Sequence, residues 1–388
     1  MTEQVVVLGS GYAGAGSIKS LEASLQDEAE ITWISDVDHH LILHESHRCI
    51  RDPSVQEHVT IPIEDIKSEE TAFVQATVEG IDTDERTVHL ADGDDVAYDY
   101  LLVGIGSRTA FFGIDGLREN AHTLKSLDDA LGIHNDVAQH AKTATAEDPA
   151  QIVVGGAGLS GIQVAGELAG YRDDHDAPME IYLVEGLDEI FPGNDPGLQQ
   201  ALRSRLEARD VVIETGDFIS EVDDSTVFIG EDEQLEYDVL VWTGGITGRE
   251  PARETSLEKD ERNYRLNTTS TFQTSDDRVF AIGDAALVEQ PDDDPAPPTA
   301  QSAWQAAEVA GGNIARAIRG QPLEEWRFKD KGTVISVGED AVAHDVFIVP
   351  FVSTFGGFPA RSLKKAIAAR WIKDLTGVGD AVRAWPDM

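Results

Sequence analysis

The sequence predicts an α/β protein with two doubly wound domains in series, because one pattern of strand, glycine-rich turn, helix and acidic strand end occurs twice. The first copy follows an apolar run at residues 5–8, and the second follows an apolar run at 152–155. Each copy spaces three glycines as G-x-G-x-x-G, namely Gly9, Gly11 and Gly14 and, roughly 145 residues later, Gly156, Gly158 and Gly161. Such turns between a buried strand and a helix are typical of Rossmann-like dinucleotide-binding domains.

The elements of the first copy can be assigned from hydrophobic periodicity. A strand is predicted at 4–8, a helix at 12–26 and a second strand at 30–34, which together form one βαβ unit. Several short strands follow between residues 72 and 103, and a glycine turn at 104–107 closes this half of the chain.

The second copy repeats this order of elements. A strand is predicted at 151–155, a helix at 160–170 and further strands at 180–184, 211–214 and 226–229. A last strand and its glycine turn, at 239–245, close this half. Downstream, a buried strand, a helix, a set of strands and a last helix are predicted at 278–284, 299–318, 328–349 and 360–375. The last two elements form a C-terminal strand/helix region.

Composition excludes several classes of protein. The 388 residues are 41% hydrophobic, yet no apolar run reaches the roughly 18–20 residues of a membrane-spanning helix. Asp and Glu number 72 against 30 Lys and Arg, which gives a formal net charge of −42. This charge excludes nucleic acid as a partner, and we interpret it as an adaptation that keeps a halophile's protein soluble. Because a strand begins at once without a signal peptide, we expect a cytoplasmic protein.

Neither the cysteine content nor a group of histidines predicts a thiol or metal site. Cys49 is the one cysteine, which excludes an intramolecular redox disulfide and favours a structural role. Four histidines lie close together, at His39, His40, His44 and His47, but no cysteine or carboxylate pattern of a metal site accompanies them. We therefore expect no metal.

Each glycine in a fingerprint has a physical task. The first permits a tight turn, the second lets the backbone approach a pyrophosphate, and the third lets the helix pack on the strand. The free N–H groups at the start of the helix then face the diphosphate. The acid that binds the ribose hydroxyls falls at Asp36, or its neighbour Ser35, and at Glu185. Glu185 favours NADH over NADPH, because its carboxylate repels a 2′-phosphate. Two dinucleotides in one body indicate a flavin and nicotinamide oxidoreductase.

Beyond the fingerprints, the chain resembles type II NADH dehydrogenases, single-subunit NADH:quinone oxidoreductases with two dinucleotide-binding domains. The motifs that carry the resemblance span most of the chain, at residues 9–14, 98–107, 111–116, 125–130, 279–284, 298–305 and 328–332. The resemblance implies three parts, an FAD-binding domain (1–115 and 270–325), an NADH-binding domain (116–269) and a C-terminal region (326–388).

The resemblance also implies residues for the cofactors and the acceptor. Besides the first fingerprint and the residues Ser35 and Asp36, FAD is expected to contact four further residues, Gly106, Gly283, Asp284 and Ala300. The NADH side adds the turn at Gly244 and the side chain of Gln163, which stands where the family usually has a glutamate near the nicotinamide. We expect Gln301 and Gln305 to shape a quinone pocket, Lys331 to polarise a quinone carbonyl or the flavin edge, and one clustered histidine to relay protons.

The C-terminal region differs in charge from the rest of the chain. Residues 361–388 carry six Lys or Arg and three Asp, a local net charge of +3, and follow apolar segments at 349–352 and 355–358. A basic amphipathic helix suits docking on an anionic membrane surface, as the resemblance implies, and a core-packed helix or a homodimer contact stays open.

The sequence thus predicts an FAD-dependent NADH:quinone oxidoreductase, peripheral on the cytosolic face of the membrane. Two alternatives stay open. One is a flavoprotein reductase of another acceptor, ferredoxin or sulfide-related, although the single Cys49 disfavours sulfide chemistry. The other is a flavin-bound NADH sensor with little turnover, which Gln163 and the altered turn at Gly104 and Ile105 favour.

Overall fold

Two parallel sheets form the centre of the protein, which confirms the predicted α/β class. The computed structural model describes residues 2–291, 294–347 and 353–385. In chain order the strands are β1 Glu3–Leu8, β2 Ala29–Ser35, β3 His39–Leu41, β4 Thr60–Pro62, β5 Ala72–Gln75, β6 Val78–Asp82, β7 Thr87–Leu90, β8 Val96–Ala97, β9 Tyr100–Val103, β10 Ser107–Thr109, β11 Ala150–Gly155, β12 Met179–Glu185, β13 Val211–Thr215, β14 Ile219–Val222, β15 Thr226–Ile229, β16 Glu233–Glu236, β17 Val239–Trp242, β18 Ile246–Gly248, β19 Leu266–Thr268, β20 Val279–Ala281, β21 Ala286–Val288, β22 Thr333–Val337, β23 Asp340–His344 and β24 Thr354–Gly356.

The α-helices alternate with these strands. In chain order they are α1 Tyr12–Leu25, α2 Leu43–Ser46, α3 Arg48–Arg51, α4 Gln56–Val59, α5 Ile63–Ile66, α6 Leu117–Asn120, α7 Leu127–Ala141, α8 Leu159–His175, α9 Pro196–Glu207, α10 Glu250–Glu254, α11 Ala300–Ile318, α12 Phe358–Thr376 and α13 Val378–Ala384. No helix within the described residues is both long and apolar enough to cross a bilayer.

The first sheet has the strand order β20-β9-β1-β2-β5, and every neighbouring pair is parallel. Its central strand β1 is an unbroken apolar run at residues 5–8, buried as a central strand of a parallel sheet must be. Because β20 follows the second sheet in sequence, the chain returns to complete the first sheet after crossing to the second.

The second sheet has the order β13-β12-β11-β17 and is also parallel throughout. In each half, the first two strands pair over six residues, and a small antiparallel sheet, β6-β7-β8 or β14-β15-β16, precedes the last strand. An antiparallel ribbon of β10 and β18 joins the segments that leave the two sheets. The two halves are therefore structural repeats, as the fingerprints predict.

The C-terminal region consists of the antiparallel sheet β22-β23-β24 and the helices α12 and α13. On α12, the side chains of Trp371, Ile372 and Leu375 are buried. The Trp371 ring lies 4.8 Å from the ring of Tyr12 on α1 and 4.7 Å from that of Trp304 on α11, measured between centroids. This helix is thus packed into the core of the molecule.

One prediction about this region is wrong in part. Residues 328–332, predicted as part of a strand, are irregular, and strand β22 begins only at Thr333. The backbone of this segment forms hydrogen bonds with side chains of α11 instead of with a neighbouring strand. The predicted last helix is present as α12. Its apolar side chains Leu363 and Ile367 are only half-buried, whereas Lys364 is buried, because the helix turns a partly polar face inward. The predicted apolar segment at 349–352 lies outside the described residues.

Candidate functional site

The turn after β1 is so tight that only glycine fits at its first and third fingerprint positions. Gly9 has φ +93°, and a Cβ there would lie 2.5 Å from the carbonyl oxygen of Gly104. A Cβ on Gly14 would lie 1.8 Å from the carbonyl oxygen of Gly9. Helix α1 therefore begins directly at the carboxyl end of β1.

The second fingerprint position faces open space. A Cβ on Gly11 would meet nothing within 4 Å, although its φ of −70° suits any residue. Gly11 is the N-cap of α1 and no side chain caps this helix end, so the first-turn N–H groups face the opening. Gly106, in the turn after the neighbouring strand β9, has φ +72° and equally open surroundings. This cradle fits the diphosphate of a dinucleotide.

The turn after β11 forms a second cradle with the same geometry. Gly156 has φ +89°, and a Cβ there would lie 2.7 Å from the Cα of Gly244. A Cβ on Gly161 would lie 1.9 Å from the carbonyl oxygen of Gly156, whereas one on Gly158 would meet nothing within 4 Å. Gly158 caps α8 as Gly11 caps α1, with φ −72°. The second cradle therefore also fits a diphosphate.

The residues that end the second strand of each unit differ in charge. Glu185 is buried at the end of β12, and its carboxylate accepts hydrogen bonds from the N–H of Ala157 (2.8 Å) and of Leu187 (3.1 Å). At the end of β2, the buried hydroxyl of Ser35 donates to that of Ser10 over 2.9 Å. Both strand ends therefore contact their own fingerprint loop, one through a carboxylate and one through a hydroxyl.

Asp36 and Asp284 are held by charged neighbours. The carboxylate of Asp36 lies 3.3 Å from the guanidinium of Arg249, which precedes α10. Asp284 accepts a hydrogen bond from the hydroxyl of Ser107 (3.0 Å), to which the ammonium of Lys125 also donates (3.3 Å). Burial lowers the pKa of Lys125, and the Asp284 carboxylate opposes this effect.

The turn that carries Asp284 lies between two helix starts. A Cβ on Gly283, with φ +69°, would lie 3.1 Å from the Cβ of Ala13 on α1 and 3.5 Å from that of Ala303 on α11. Ala300 is the first residue of α11, whose N-cap Thr299 accepts from the N–H of Ser302. The structure thus brings Gly283, Asp284 and Ala300, which were predicted to contact FAD, next to the first cradle.

Gln301 and Gln305 of α11 bind the irregular segment 329–332. The amide oxygen of Gln301 accepts from the N–H of Lys331 (2.8 Å), and its nitrogen donates to the carbonyl of Gly332 (3.3 Å). Gln305 donates to the carbonyl of Lys329 (3.0 Å) and accepts from its N–H (3.2 Å). The Lys331 side chain itself is exposed. The two glutamines therefore position the segment that carries Lys331.

The four clustered histidines point in different directions. His40 binds the carbonyl of Ser10 through Nδ1 (2.7 Å) and accepts from the indole N–H of Trp371 (2.8 Å), while His44 binds the hydroxyl of Tyr12. Burial lowers the pKa of both histidines to about 4, so they are neutral at pH 7. Among the described residues, no group of His, Cys, Asp and Glu side chains could hold a metal ion.

Sequence analysis missed a set of interacting polar side chains, which we term the buried polar cluster. It comprises six residues from five segments, Glu45, His47, Gln163, Glu167, Ser336 and Lys364, each at most 8% exposed. Gln163 of α8, predicted to lie at the nicotinamide, donates to the hydroxyl of Ser336 (3.1 Å). Only the histidine at position 47 and Gln163 carried a signal in the sequence, because the other members become neighbours only through folding.

Comparison with known proteins finds relatives over the whole chain. Residues 3–307 match the model of a family described as pyridine nucleotide-disulphide oxidoreductase. The type II NADH:quinone oxidoreductase of Staphylococcus aureus (strain NCTC 8325 / PS 47) is 30% identical over 406 residues, which covers 98% of each chain.

Solved structures share this architecture. The structure of NDH2 from Plasmodium falciparum in complex with NADH superposes with a TM-score of 0.84 at 17% identity, covering 100% of this chain and 97% of that one. The sulfide:quinone oxidoreductase of the hyperthermophilic bacterium Aquifex aeolicus gives a TM-score of 0.81 at 19% identity, covering 97% and 92%. At these identities the likeness shows a shared fold.

Proposed function

Because this chain belongs to the pyridine nucleotide-disulphide oxidoreductase family, and within it to the type II NADH:quinone oxidoreductases, we propose that it passes two electrons from NADH through FAD to a quinone, without pumping protons. The observation that carries the proposal is the pair of open glycine cradles on repeated βαβ units. An enzyme that connects a bound flavin with a nicotinamide needs two such sites.

We assign FAD to the first cradle and NADH to the second. The FAD site then comprises Gly9, Gly11, Gly14, Ser35, Asp36, Gly106, Gly283, Asp284 and Ala300. The NADH site comprises Gly156, Gly158, Gly161, Glu185, Gly244 and Gln163, in a domain of residues 116–269 between the two FAD-binding segments 1–115 and 270–325. Bound FAD supplies the two-electron chemistry, and the protein orients the partners.

The acceptor pocket is assigned to the start of α11 and the segment it holds. Gln301 and Gln305 fix the backbone at residues 329–332 through hydrogen bonds of 2.8–3.3 Å. The exposed ammonium of Lys331 then supplies positive charge that polarises a quinone carbonyl. The hydrogen bonds of Gln301 and Gln305 favour this pocket over one on α12, because the inward face of α12 is packed in the core.

Anaerobic mixing of the purified protein with NADH in high salt tests the function. Bleaching of the yellow chromophore followed by its recovery on addition of a menaquinone analogue is the expected result. Bleaching without recovery would instead identify a sensor, and recovery with ferredoxin alone would identify another acceptor. Sulfide as the donor is disfavoured, because Cys49 is buried and burial raises its thiol pKa to about 11.

We further propose that the C-terminal end docks on the cytosolic face of an anionic membrane. Val378, Val382 and Trp385 of the α13 segment are 63%, 66% and 44% exposed, and Arg370 and Lys373 lie beside them around a cavity of about 420 Å³. An apolar surface flanked by cations is what interfacial helices present to lipid headgroups.

Co-sedimentation with vesicles of anionic and of zwitterionic lipid tests this docking. Wild-type protein is expected to bind anionic vesicles, and Val382→Asp, which buries a carboxylate in the interface, to bind them at least tenfold more weakly. The matched exposed control is Val212→Asp on the NADH-binding half. A homodimer in sedimentation velocity that Val382→Asp dissociates would assign the surface to a second copy instead.

A further inference from the structure

Two large apolar side chains lie exposed at the carboxyl edge of the second sheet. Leu187, two residues beyond β12, is 49% exposed, and Phe218, three residues beyond β13, is 64% exposed. Because β12 and β13 are neighbouring parallel strands, both residues lie at the edge from which Gly158 and Glu185 face a dinucleotide. The second cradle as described above uses neither side chain. Exposed apolar groups gathered at a ligand-binding edge indicate a further contact with the ligand.

Backbone hydrogen bonds fix the position of Phe218. The N–H of Gly216 donates to the carbonyl oxygens of Glu185 (3.1 Å) and Leu187 (3.0 Å), which joins the segments that leave β13 and β12. Gly216 has φ +105°, which lets the chain turn sharply at this point. On the other side, the carbonyl of Phe218 accepts from the N–H of Gly230, directly after β15 (2.9 Å). The backbone that carries the ring is therefore held on both sides.

The ring of Phe218 lies directly on the backbone of Gly186. A Cβ on Gly186 would lie within 2.6 Å of three atoms of this ring. The φ of Gly186 lies outside the left-handed region, so the backbone itself does not require glycine here. Glycine is needed because the ring fills the space that a side chain would occupy. One part of the ring thus covers Gly186, and the remainder is open.

The first unit lacks this arrangement. Because Ser35 and Glu185 end equivalent strands, Asp36 stands at the position of Gly186. A side chain at that position excludes a ring packed on the backbone, as the space at Gly186 shows. The exposed aromatic surface therefore belongs to the second unit alone, the unit to which we assign NADH.

We propose that the ring of Phe218 stacks on the adenine of NADH and that Leu187 bounds the same adenine subsite, an inference that rests on the assignment of NADH to the second cradle. In a doubly wound domain the diphosphate lies at the helix start, here Gly158, and the ribose of the adenosine lies at the acid that ends the second strand, here Glu185. The adenine attached to that ribose then lies just beyond Glu185, where the segments after β12 and β13 meet.

Stacking suits the charge of this chain. A dinucleotide carries two negative phosphates, and the chain has a formal net charge of −42, so the two repel each other at long range. An aromatic ring binds the flat face of a purine without any charge, and salt does not screen this contact. Because adenine is remote from the nicotinamide, the contact is the same in the ground state and in the transition state, and it affects KM rather than kcat.

Steady-state kinetics with NADH and a menaquinone analogue test the subsite. Phe218→Ala is expected to raise the KM for NADH about tenfold, as the loss of a base-stacking ring does, with kcat within about twofold of wild type. Phe218→Tyr keeps the aromatic face and should restore the wild-type KM. The matched control is Phe358→Ala on α12, which removes another exposed phenylalanine and should change neither constant. Because the ring of Phe218 is largely exposed, its removal leaves no buried cavity that would unfold the protein.

A donor without adenine separates stacking from a merely structural role. Reduced nicotinamide mononucleotide lacks the whole adenosine and does not reach the subsite. The rate at which it bleaches the chromophore should therefore be the same in wild type and in Phe218→Ala. If the variant were impaired equally with both donors, Phe218 would support the structure of the domain and the adenine subsite would be refuted.

Nuclear Overhauser effects give a readout that does not depend on turnover. In otherwise deuterated protein with protonated phenylalanine, the H2 and H8 protons of the adenine of bound NAD⁺ are expected to show contacts with a phenylalanine ring. Phe218→Leu keeps an apolar side chain but removes the ring and should lose these contacts, whereas Phe358→Ala should keep them. Contacts that persist in Phe218→Leu would assign the adenine to another ring and overturn the inference.

The outcomes separate this inference from the proposed function. Wild-type protein whose chromophore NADH does not bleach would overturn the function, and the subsite with it. Bleaching and recovery in wild type together with an unchanged KM for NADH in Phe218→Ala would overturn the adenine subsite alone. Absence of contacts between adenine and a phenylalanine ring in a wild-type protein that turns over NADH would have the same consequence.

Discussion

The two βαβ units have nearly identical turns, yet the outer faces of their helices have different partners. The first fingerprint glycines, Gly9 and Gly156, have φ of +93° and +89°, and the N-caps, Gly11 and Gly158, agree within a few degrees. Because a dinucleotide contacts the turn and the helix start, this end of each unit has little freedom to vary.

Further along the helices the equivalent positions diverge. Gly16 and Ser20 of α1 face α11, and a Cβ on Gly16 would lie only 2.7 Å from the Cβ of Ala307. The equivalent positions of α8 are Gln163 and Glu167, which face Ser336 of β22 and His47 in the buried polar cluster. Close helix packing demands small residues in one unit, whereas the other unit keeps polar groups at the same place. The comparison shows that the turn specifies the ligand class while the outer helix face is free to acquire chemistry.

The largest expected effects come from valine at the two open glycines. Gly11→Val should abolish retention of the yellow chromophore, whereas Gly158→Val should retain it and lose reduction by NADH. Each side chain fits the empty protein, because nothing lies within 4 Å of either Cβ, and fills only the space of the diphosphate. We expect a loss of at least 1000-fold in affinity, about 4 kcal/mol.

Absorbance of the purified proteins and anaerobic titration with NADH measure both effects. Each variant is the control for the other, since their backbones are equivalent. Retained colour together with normal NADH reduction in both variants would refute the assignment of the two cradles.

The next effect distinguishes the two helices through stability. Because the pKa of Glu167 is raised to about 7 in the folded state, the folded protein binds more protons than the unfolded one between the ordinary carboxyl pKa and about 7. Its contribution to the free energy of unfolding is therefore full at low pH and is lost as the pH rises through about 7. Glu167→Gln should gain about 3 kcal/mol relative to wild type between about pH 5 and pH 8.

Denaturant unfolding at the two pH values, in constant high salt, measures this difference. Ser20→Ala on the equivalent turn of α1 is the matched control and should show no such change. A constant difference between Glu167→Gln and wild type across this range would show that Glu167 is ionised throughout.

A moderate effect on NADH binding is expected when Glu185, which ends β12 of the second unit, is replaced by the serine that ends the equivalent strand β2 of the first unit. Glu185→Ser removes a carboxylate that accepts from two backbone N–H groups. The KM for NADH should rise about tenfold to thirtyfold, the 1.5–2 kcal/mol of a charge-assisted hydrogen bond, and the preference over NADPH should fall. Steady-state kinetics with both nucleotides measure this, with the exposed Glu189→Ser as the control. An unchanged preference would mean that another residue rejects the 2′-phosphate.

Local sequence patterns predicted the repeated architecture, but they could not predict contacts between segments that are distant in the sequence. The glycine spacings and apolar runs specify the turns of both cradles, since these depend on backbone sterics within a few residues. The irregular segment at 328–332 was missed because side chains of α11, not strand neighbours, satisfy its backbone. Likewise, Glu167 and Lys364 belong to ordinary helical patterns, and only the fold shows that they share a buried site.

The smallest effect sharpens the comparison most, because Ser35 and Glu185 end equivalent strands. Ser35→Ala removes one short hydrogen bond, that to Ser10, whose hydroxyl keeps its own bond to the carbonyl of His39. It also removes two long contacts, 3.4 Å to the N–H of Val37 and 3.5 Å to the carboxylate of Asp36. The affinity for FAD should therefore fall only threefold to fivefold, about 1 kcal/mol, in a flavin titration of the apoprotein. The exposed Ser54→Ala should leave the affinity unchanged. If Ser35→Ala were as damaging as Glu185→Ser, the hydroxyl would bind the ribose in the way a carboxylate does, and the two units would share a ligand contact despite their different strand ends.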